Sequence, residues 1–216
     1  MQFESLNLIK PICSAIYGEK YFSPTPIQRQ SIPHILKGED LMGCAQTGTG
    51  KTGAFAWPIL QRISKLGYKT VPKKILALVL APTRELAIQI YESFNTYGKY
   101  LKVNKAVVFG GAHYKSQINI LSKGVDILVA TPGRLLDLLE KDYVHLNQVK
   151  FLVLDEADRM LDMGFFPDIN RIISCTPQKR QSILFSATFP KEILALTQNI
   201  LKKPISIKIS PQSIAA

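Results

Sequence analysis

The sequence is poor in the residues that build staples and metal cages. It holds three cysteines in 216 residues, Cys13, Cys44 and Cys175. They are odd in number, far apart and without a Cys-x-x-Cys spacing. Neither a disulfide framework nor a cysteine metal site is indicated, and a reducing compartment is expected. The three histidines, His34, His113 and His145, share no ligand-like spacing and are expected to be ordinary surface or loop residues. No apolar run approaches the roughly 20 residues a membrane span needs; the longest are stretches such as Ile75 to Ala81. The opening Met1-Gln2-Phe3-Glu4-Ser5 has no basic region followed by an apolar one, so no signal peptide is expected. Disulfide-stapled, secreted and membrane-spanning classes are thereby set aside, and the cytoplasm is the expected location. Acidic residues are also scarce, 16 against 27 basic, for a net charge of +11. That excess hints at a polyanionic partner, although a solvated basic surface would give the same count.

What is present is an ordinary globular composition, 46% hydrophobic and 20% charged. The length suits one domain with a complete core. Short apolar runs recur at residues 41–44, 75–81, 105–109, 125–130, 151–154, 182–185 and 205–209. Runs without alternation are expected to be strands buried on both faces. Helical patterns lie between them, and two more precede the first run. One spans Leu6 to Tyr17 and stops at Gly18. The other is capped by Thr25, with Pro26 at its first position, and ends near Gly38. The expected fold is α/β, a parallel sheet flanked by helices on both faces. It forms one domain over residues 1–210, with 211–216 a linker or tail.

The stretch Ala45-Gln46-Thr47-Gly48-Thr49-Gly50-Lys51-Thr52 follows the first apolar run and leads into a helical pattern through Phe55, Ile59 and Ile63. Strand, glycine-bearing loop, Gly-Lys-Thr and helix describe a phosphate cradle, in which backbone N–H groups converge on an anion. Lys51 is expected to reach the β- and γ-phosphates and the Thr52 hydroxyl to ligate Mg²⁺. The generic pattern has glycine where this chain has Ala45, so the octapeptide alone is a near match. A helix that merely opens with Gly-Lys-Thr is the alternative.

The context favours the cradle, because polar or glycine-rich clusters stand just past several strand ends. In open parallel sheets, ligands bind at those ends. Asp155 follows four apolar residues, and a carboxylate there is costly unless it meets a cation; Mg²⁺ beside a triphosphate supplies one. Glu156 is placed to orient or deprotonate an attacking water. A plain acidic helix cap is the alternative for this pair. Pro82-Thr83-Arg84 and Thr131-Pro132-Gly133-Arg134 each open a helix with a hydroxyl, free N–H groups and an arginine. That arrangement suits successive phosphates of a nucleic-acid backbone. Gly110-Gly111 permits close approach of such a backbone. N-capping and turn formation are the plainer readings of these clusters. Trp57 is expected to pack in the core.

Taken in order, these motifs resemble the DEAD-box RNA helicase family, specifically its N-terminal RecA-like P-loop NTPase domain. Phe3 with Tyr21-Phe22-Ser23-Pro24-Thr25-Pro26-Ile27-Gln28 resembles the family's Q motif, about residues 3–28. Ala45 to Thr52 is similar to the family's own motif I, Pro82 to Leu86 to motif Ia and Gly110-Gly111 to the GG motif. Thr131 to Arg134 resembles motif Ib, Asp155-Glu156-Ala157-Asp158 motif II and Ser186-Ala187-Thr188 motif III. Arg159 to Phe165 looks like the bacterial RhlE-like subgroup.

The resemblance implies an ATP-dependent RNA helicase with ATP and Mg²⁺ as cofactors and RNA, gripped by its backbone, as partner. Lys51, Asp155 and Glu156 would be catalytic, and Thr52 and Asp155 would hold the metal. Tyr21 would stack on adenine, Gln28 would read its edge, and Thr47, Gly48, Thr49, Gly50, Lys51 and Thr52 would hold the phosphates. Pro82, Thr83, Arg84, Gly110, Gly111, Thr131, Pro132, Gly133 and Arg134 would meet RNA. Asp158, Ser186 and Thr188 would couple nucleotide state to RNA grip. The chain departs from the pattern at Lys20, where the family usually has glycine. It also lacks the second RecA-like domain, so a monomeric fragment of a longer protein is expected, binding adenine nucleotide but hydrolysing it very poorly.

Overall fold

Each of the seven apolar runs forms a strand. In the computed structural model, which describes residues 2–46, 48–67 and 70–209, they are β1 (Leu41–Cys44), β2 (Ala77–Leu80), β3 (Lys105–Val108), β4 (Ile127–Ala130), β5 (Phe151–Leu154), β6 (Gln181–Ser186) and β7 (Ile205–Lys208). Strands β2, β3, β4 and β7 are shorter than their runs, β1 and β5 match theirs, and β6 extends one residue beyond its run at each end. All of them join one sheet in the order β3-β4-β2-β5-β6-β1-β7. Every pairing is parallel.

The helices are α1 (Lys10–Gly18), α2 (Pro26–Lys37), α3 (Lys51–Lys65), α4 (Arg84–Tyr97), α5 (Tyr114–Ser122), α6 (Pro132–Glu140), α7 (Ala157–Asp162), α8 (Phe166–Ser174) and α9 (Lys191–Ile200). Side chains alternate across a strand, so each strand feeds two cores. Ala77, Val79, Val153 and Phe185 face the cluster built with Ile12, Ile32, Phe55 and Phe94 of α1 to α4. Leu78, Leu80, Leu154 and Leu184 face the cluster built with Leu135, Met160, Ile172 and Leu196 of the later helices. This is the three-layer α/β arrangement expected for a parallel sheet.

Two expectations change. Strands β2, β4, β5 and β6 are buried on both faces, but β1 and β3 alternate, with Met42, Cys44, Lys105 and Val107 half-buried on one face. The first helix starts at Lys10, not Leu6. Residues Phe3–Leu6 form a 3-10 turn, and Asn7 then turns left-handed at φ 60°. Asn tolerates that conformation better than most residues. Gln61 of α3 fixes this entry by accepting from the Ile9 N–H at 2.8 Å and donating to the Asn7 carbonyl at 2.9 Å. His34 lies near the surface within α2, beside Glu39.

The sheet's middle is packed to contact. A Cβ at Gly43 of β1 would stand 2.3 and 2.4 Å from the Phe185 ring. No helix among the described residues is long and apolar enough to cross a membrane.

Candidate functional site

The chain leaves β1 at Cys44 and reaches α3 at Lys51 through the glycine-bearing loop. Ala45 stands where the generic pattern has glycine, and its surroundings explain the substitution. It is buried, its N–H donates to the Ser186 carbonyl at 3.2 Å, and its φ is not positive. It therefore extends the β1–β6 ladder and has no need of glycine's freedom. The positive φ values fall on Gly48 (84°) and Gly50 (91°). Gly50 also has no room for a Cβ, which would lie 2.7 Å from Gln28 Nε2 and 2.8 Å from Thr25 Oγ1. Thr49 donates its hydroxyl to the Gln46 carbonyl at 2.8 Å and braces the loop. Thr47, an expected phosphate contact, lies outside the described residues.

Lys51 and Asp155 meet at this rim. The Nζ of Lys51 is 3.7 Å from Asp155 Oδ1, with side chains 6% and 2% exposed. Burial pushes the Asp155 carboxyl up to about 6, with the Lys51 ammonium pulling it down and Glu156 pushing it further up. A folded-state value raised above that of the unfolded chain favours folding below the ordinary carboxyl range, and that contribution is lost as pH rises through about 6. A divalent ion reverses the preference, because it needs the carboxylate. The affinity of Mg²⁺-ADP is therefore expected to be steady above about pH 6 and to fall up to about tenfold per pH unit below it. ADP in EDTA serves as the control that cancels protonation of the ligand itself. Titration calorimetry across pH 5 to 8 checks this, and parallel curves with and without Mg²⁺ would remove Asp155 from the metal's partners.

A pocket of about 430 Å³ opens beside this pair. Gly48, Gly50, Lys51, Thr52, Asp155 and Glu156 line it, as do Tyr21 and Gln28. Gln28 is buried, accepts from the Thr25 N–H at 2.9 Å and donates to the Gly50 carbonyl at 3.1 Å. Its amide thus ties the turn before α2 to the phosphate loop and keeps one N–H and one lone pair for a ligand. Tyr21, 53% exposed, stands at the pocket's edge. Lys20 before it has φ 61°. That conformation costs a non-glycine residue roughly 1–2 kcal/mol, which accounts physically for a glycine preference there.

Sequence reasoning missed one wall of this pocket. Leu86, Gln89, Ser93 and Tyr97, a stripe along α4, also line it. Burial pushes the Tyr97 hydroxyl up to about 12, with the Tyr21 hydroxyl beside it adding to the shift. Trp57, expected in the core, is 2% exposed and packs edge-on against Phe3 and Tyr97, yet it too lines the pocket. Phe3 is therefore a buried brace behind the pocket rather than a ligand contact. Another cavity, about 360 Å³ and lined by Leu76, Asp126 and Lys150, sits at the opposite edge of the sheet, before the strands begin.

Glu156 adopts a left-handed backbone, φ 53° and ψ 53°, at the start of α7 and makes no side-chain cap bond. Its N–H donates to Asp155 Oδ1 at 3.0 Å, and its carboxylate lies 3.4 Å from Arg159 Nη1. Glu156 thus occupies the N-cap position of α7 without a side-chain cap bond. Ser186 is the last residue of β6 rather than a residue beyond it. Its hydroxyl accepts from the Asp158 N–H at 3.1 Å and donates to the Thr188 carbonyl at 2.7 Å. The Asp158 carboxylate in turn accepts from the Thr188 N–H and hydroxyl, each at 2.9 Å. Burial alone would raise the Asp158 carboxyl, but hydrogen bonds from Thr188 and Ser186 outweigh it and hold it below the usual carboxylate range.

The arginine-bearing clusters stand on neighbouring strands, since β2 pairs with β4 and β4 with β3. The tips of β1, β6 and β5 thus frame the phosphate loop, and those of β2, β4 and β3 form an adjoining rim. Thr83 caps α4 by accepting from the Leu86 N–H at 3.3 Å, whereas the Thr131 hydroxyl makes no cap bond on α6. Arg84, Gly110, Gly111 and Gly133 are exposed. Pro82, Thr131 and Pro132 are buried, so Arg84 and the three glycines carry most of the open surface of this rim.

A family model described as DEAD/DEAH box helicase matches residues 25–196. The chain is 45% identical over its whole length to a probable ATP-dependent RNA helicase, ddx17, of Dictyostelium discoideum. It is 48% identical over 96% of its length to a probable ATP-dependent RNA helicase, ddx3, of the same organism. It is 45% identical over 96% of its length to an ATP-dependent rRNA helicase, RRP3, of Pyricularia oryzae. The chain spans 28%, 31% and 38% of the lengths of these relatives.

Proposed function

Since the chain belongs to the DEAD/DEAH box helicase family, we propose that it is the ATP-binding half of an ATP-dependent RNA helicase that separates short RNA duplexes. The observation that carries this reading is the buried meeting of Lys51 and Asp155 beside a pocket shared with Gln28 and Glu156. Lys51 and the loop N–H groups hold phosphates, Gln28 offers one donor and one acceptor to the adenine edge, and Tyr21 stacks on its ring. Thr52 and Asp155 suit Mg²⁺: a hydroxyl and a buried carboxylate with only a lysine to balance it. When bound, Mg²⁺ neutralises charge developing on the phosphates. Glu156 orients the attacking water and takes its proton.

RNA lies along the adjoining rim, held by Thr83, Arg84, Gly110, Gly111, Thr131, Gly133 and Arg134 through its backbone. The Ser186–Asp158–Thr188 network ties the strand beside the phosphate loop to the helix that follows Glu156, and in this reading it couples nucleotide state to RNA grip. In the full-length protein a second RecA-like domain closes on both ligands, and a cytoplasmic location is part of the same proposal. The affinity of Arg159 to Phe165 with a bacterial subgroup is not carried further, since the relatives named above are eukaryotic.

The test compares single-stranded RNA with single-stranded DNA as stimulators of ATP hydrolysis by the full-length protein. RNA is expected to stimulate and DNA to fail. Equal stimulation would point to a DNA or mixed-substrate helicase, and none to an ATPase that drives something else.

A further inference from the structure

The two rim arginines share a feature that neither the motifs nor the relatives announce. The guanidinium of Arg84 lies 4.9 Å from the centre of the Phe109 ring, and that of Arg134 lies 5.1 Å from the centre of the Tyr114 ring. Phe109 and Tyr114 flank the turn at Gly110 and Gly111. One short segment therefore supplies a platform to each arginine, although the arginines come from different helices.

Both rings are anchored from behind. Gln117, buried on α5, donates to the Phe109 carbonyl at 3.2 Å. Tyr114 packs edge-on against Tyr143 with ring centres 6.1 Å apart. It also carries Lys141 at 4.9 Å, and Lys141 is paired with Asp137 at 2.7 Å. Arg134 keeps one buried amino group, Nη1, without a hydrogen-bond partner. A guanidinium held over a ring is attracted through the ring's face and keeps N–H donors on its own edge. That edge is the part that grips phosphate.

Resting on the reading of the rim as an RNA site, we propose that Phe109 and Tyr114 are positioning residues that aim Arg84 and Arg134 at the RNA backbone. The Phe109 ring has no polar atom to offer RNA, and the Tyr114 hydroxyl is buried. Gly111, at φ 80°, lets the segment turn between the two rings, and the space around both glycines is open. The turn thus sets the spacing between the two arginines, and any shift of it moves both together.

The experiment uses the full-length protein and reads the RNA concentration that half-saturates ATP hydrolysis. Phe109→Leu and Tyr114→Leu are each expected to raise it roughly two- to thirtyfold, the range that a lost cation–π contact spans. The KM for ATP and kcat at saturating RNA stay unchanged. The ring-retaining Phe109→Tyr and Tyr114→Phe keep near-normal values. On an Arg84→Ala background Phe109→Leu adds nothing further, and likewise Tyr114→Leu on Arg134→Ala. The proposal is overturned if the leucine variants bind RNA normally while the arginine variants do not. It is also overturned if the ring effects persist without the arginines, or if kcat and melting temperature fall together with RNA affinity. If Arg84→Ala and Arg134→Ala themselves leave RNA binding intact, the rim is not the RNA site and the positioning role falls with it.

Discussion

Replacing Glu156 with glutamine will leave Mg²⁺-ATP bound to the full-length protein and lower its RNA-stimulated hydrolysis by at least about a hundredfold, the lower end of what a general base contributes. The structure separates the two effects. Asp155 and Lys51 form the buried pair proposed to meet metal and phosphate, whereas Glu156 sits at the N-cap of α7 with its backbone turned left-handed and no side-chain cap bond. Glutamine preserves the size and the backbone demand of that position but cannot accept a proton. The loss should therefore appear in kcat, with the KM for ATP little changed.

Lys51→Ala provides the contrast. It removes the phosphate partner and strands a carboxylate that is 2% exposed, so nucleotide binding itself should fail. An unpaired buried charge is strongly unfavourable, but Asp155, already pushed up to about 6, can take a proton instead. The fold should survive. Equilibrium binding of a fluorescent ATP analogue, beside steady-state kinetics, distinguishes the variants. A Glu156→Gln protein with normal turnover would remove the base from the mechanism.

The strand tips were legible in the sequence because apolar runs ending in Asp155, Ser186, Thr83 or Thr131 announce both a buried strand and an abrupt polar end. Parallel pairing then gathers those ends on one edge, so Lys51 and Asp155 meet although more than a hundred residues separate them. What was not legible depends on which surface a helix meets. Leu86, Gln89, Ser93 and Tyr97 recur at helical spacing, but that spacing alone does not reveal whether the stripe faces solvent, the core or a pocket. The rings of Phe109 and Tyr114 read as ordinary apolar residues until the sheet order sets them beside Arg84 and Arg134. The bounds of helices α5, α7 and α8 were not legible either. Helix α7 spans only Ala157–Asp162, and Gly164 at φ 78° separates α8 from it. Ala45, a departure from the generic phosphate-loop pattern, and Lys20, a departure from the family's, become intelligible only through backbone geometry. The first sits where glycine's freedom is not needed, and the second where it is.

The other large effect concerns the 216-residue chain by itself. It should bind ADP, yet its ATP hydrolysis at saturating RNA should fall at least about a thousandfold below that of the full-length protein. Among the described residues lining the nucleotide pocket, Lys51 is the single cation, and its ammonium is shared with Asp155. Arg159 stands nearby but faces Glu156 at 3.4 Å. Phosphoryl transfer spreads negative charge over the transferred group, and a cation delivered to it by a second domain or partner is worth about 10³–10⁵ in rate. The resemblance to the helicase family assigns that cation to the second RecA-like domain. Mixing the chain with a separately purified C-terminal portion of the full-length protein should restore RNA-stimulated turnover in a concentration-dependent way. An isolated chain that already matches the full-length rate would mean that the residues described above complete the catalytic site alone, and the two-domain account would have to be abandoned.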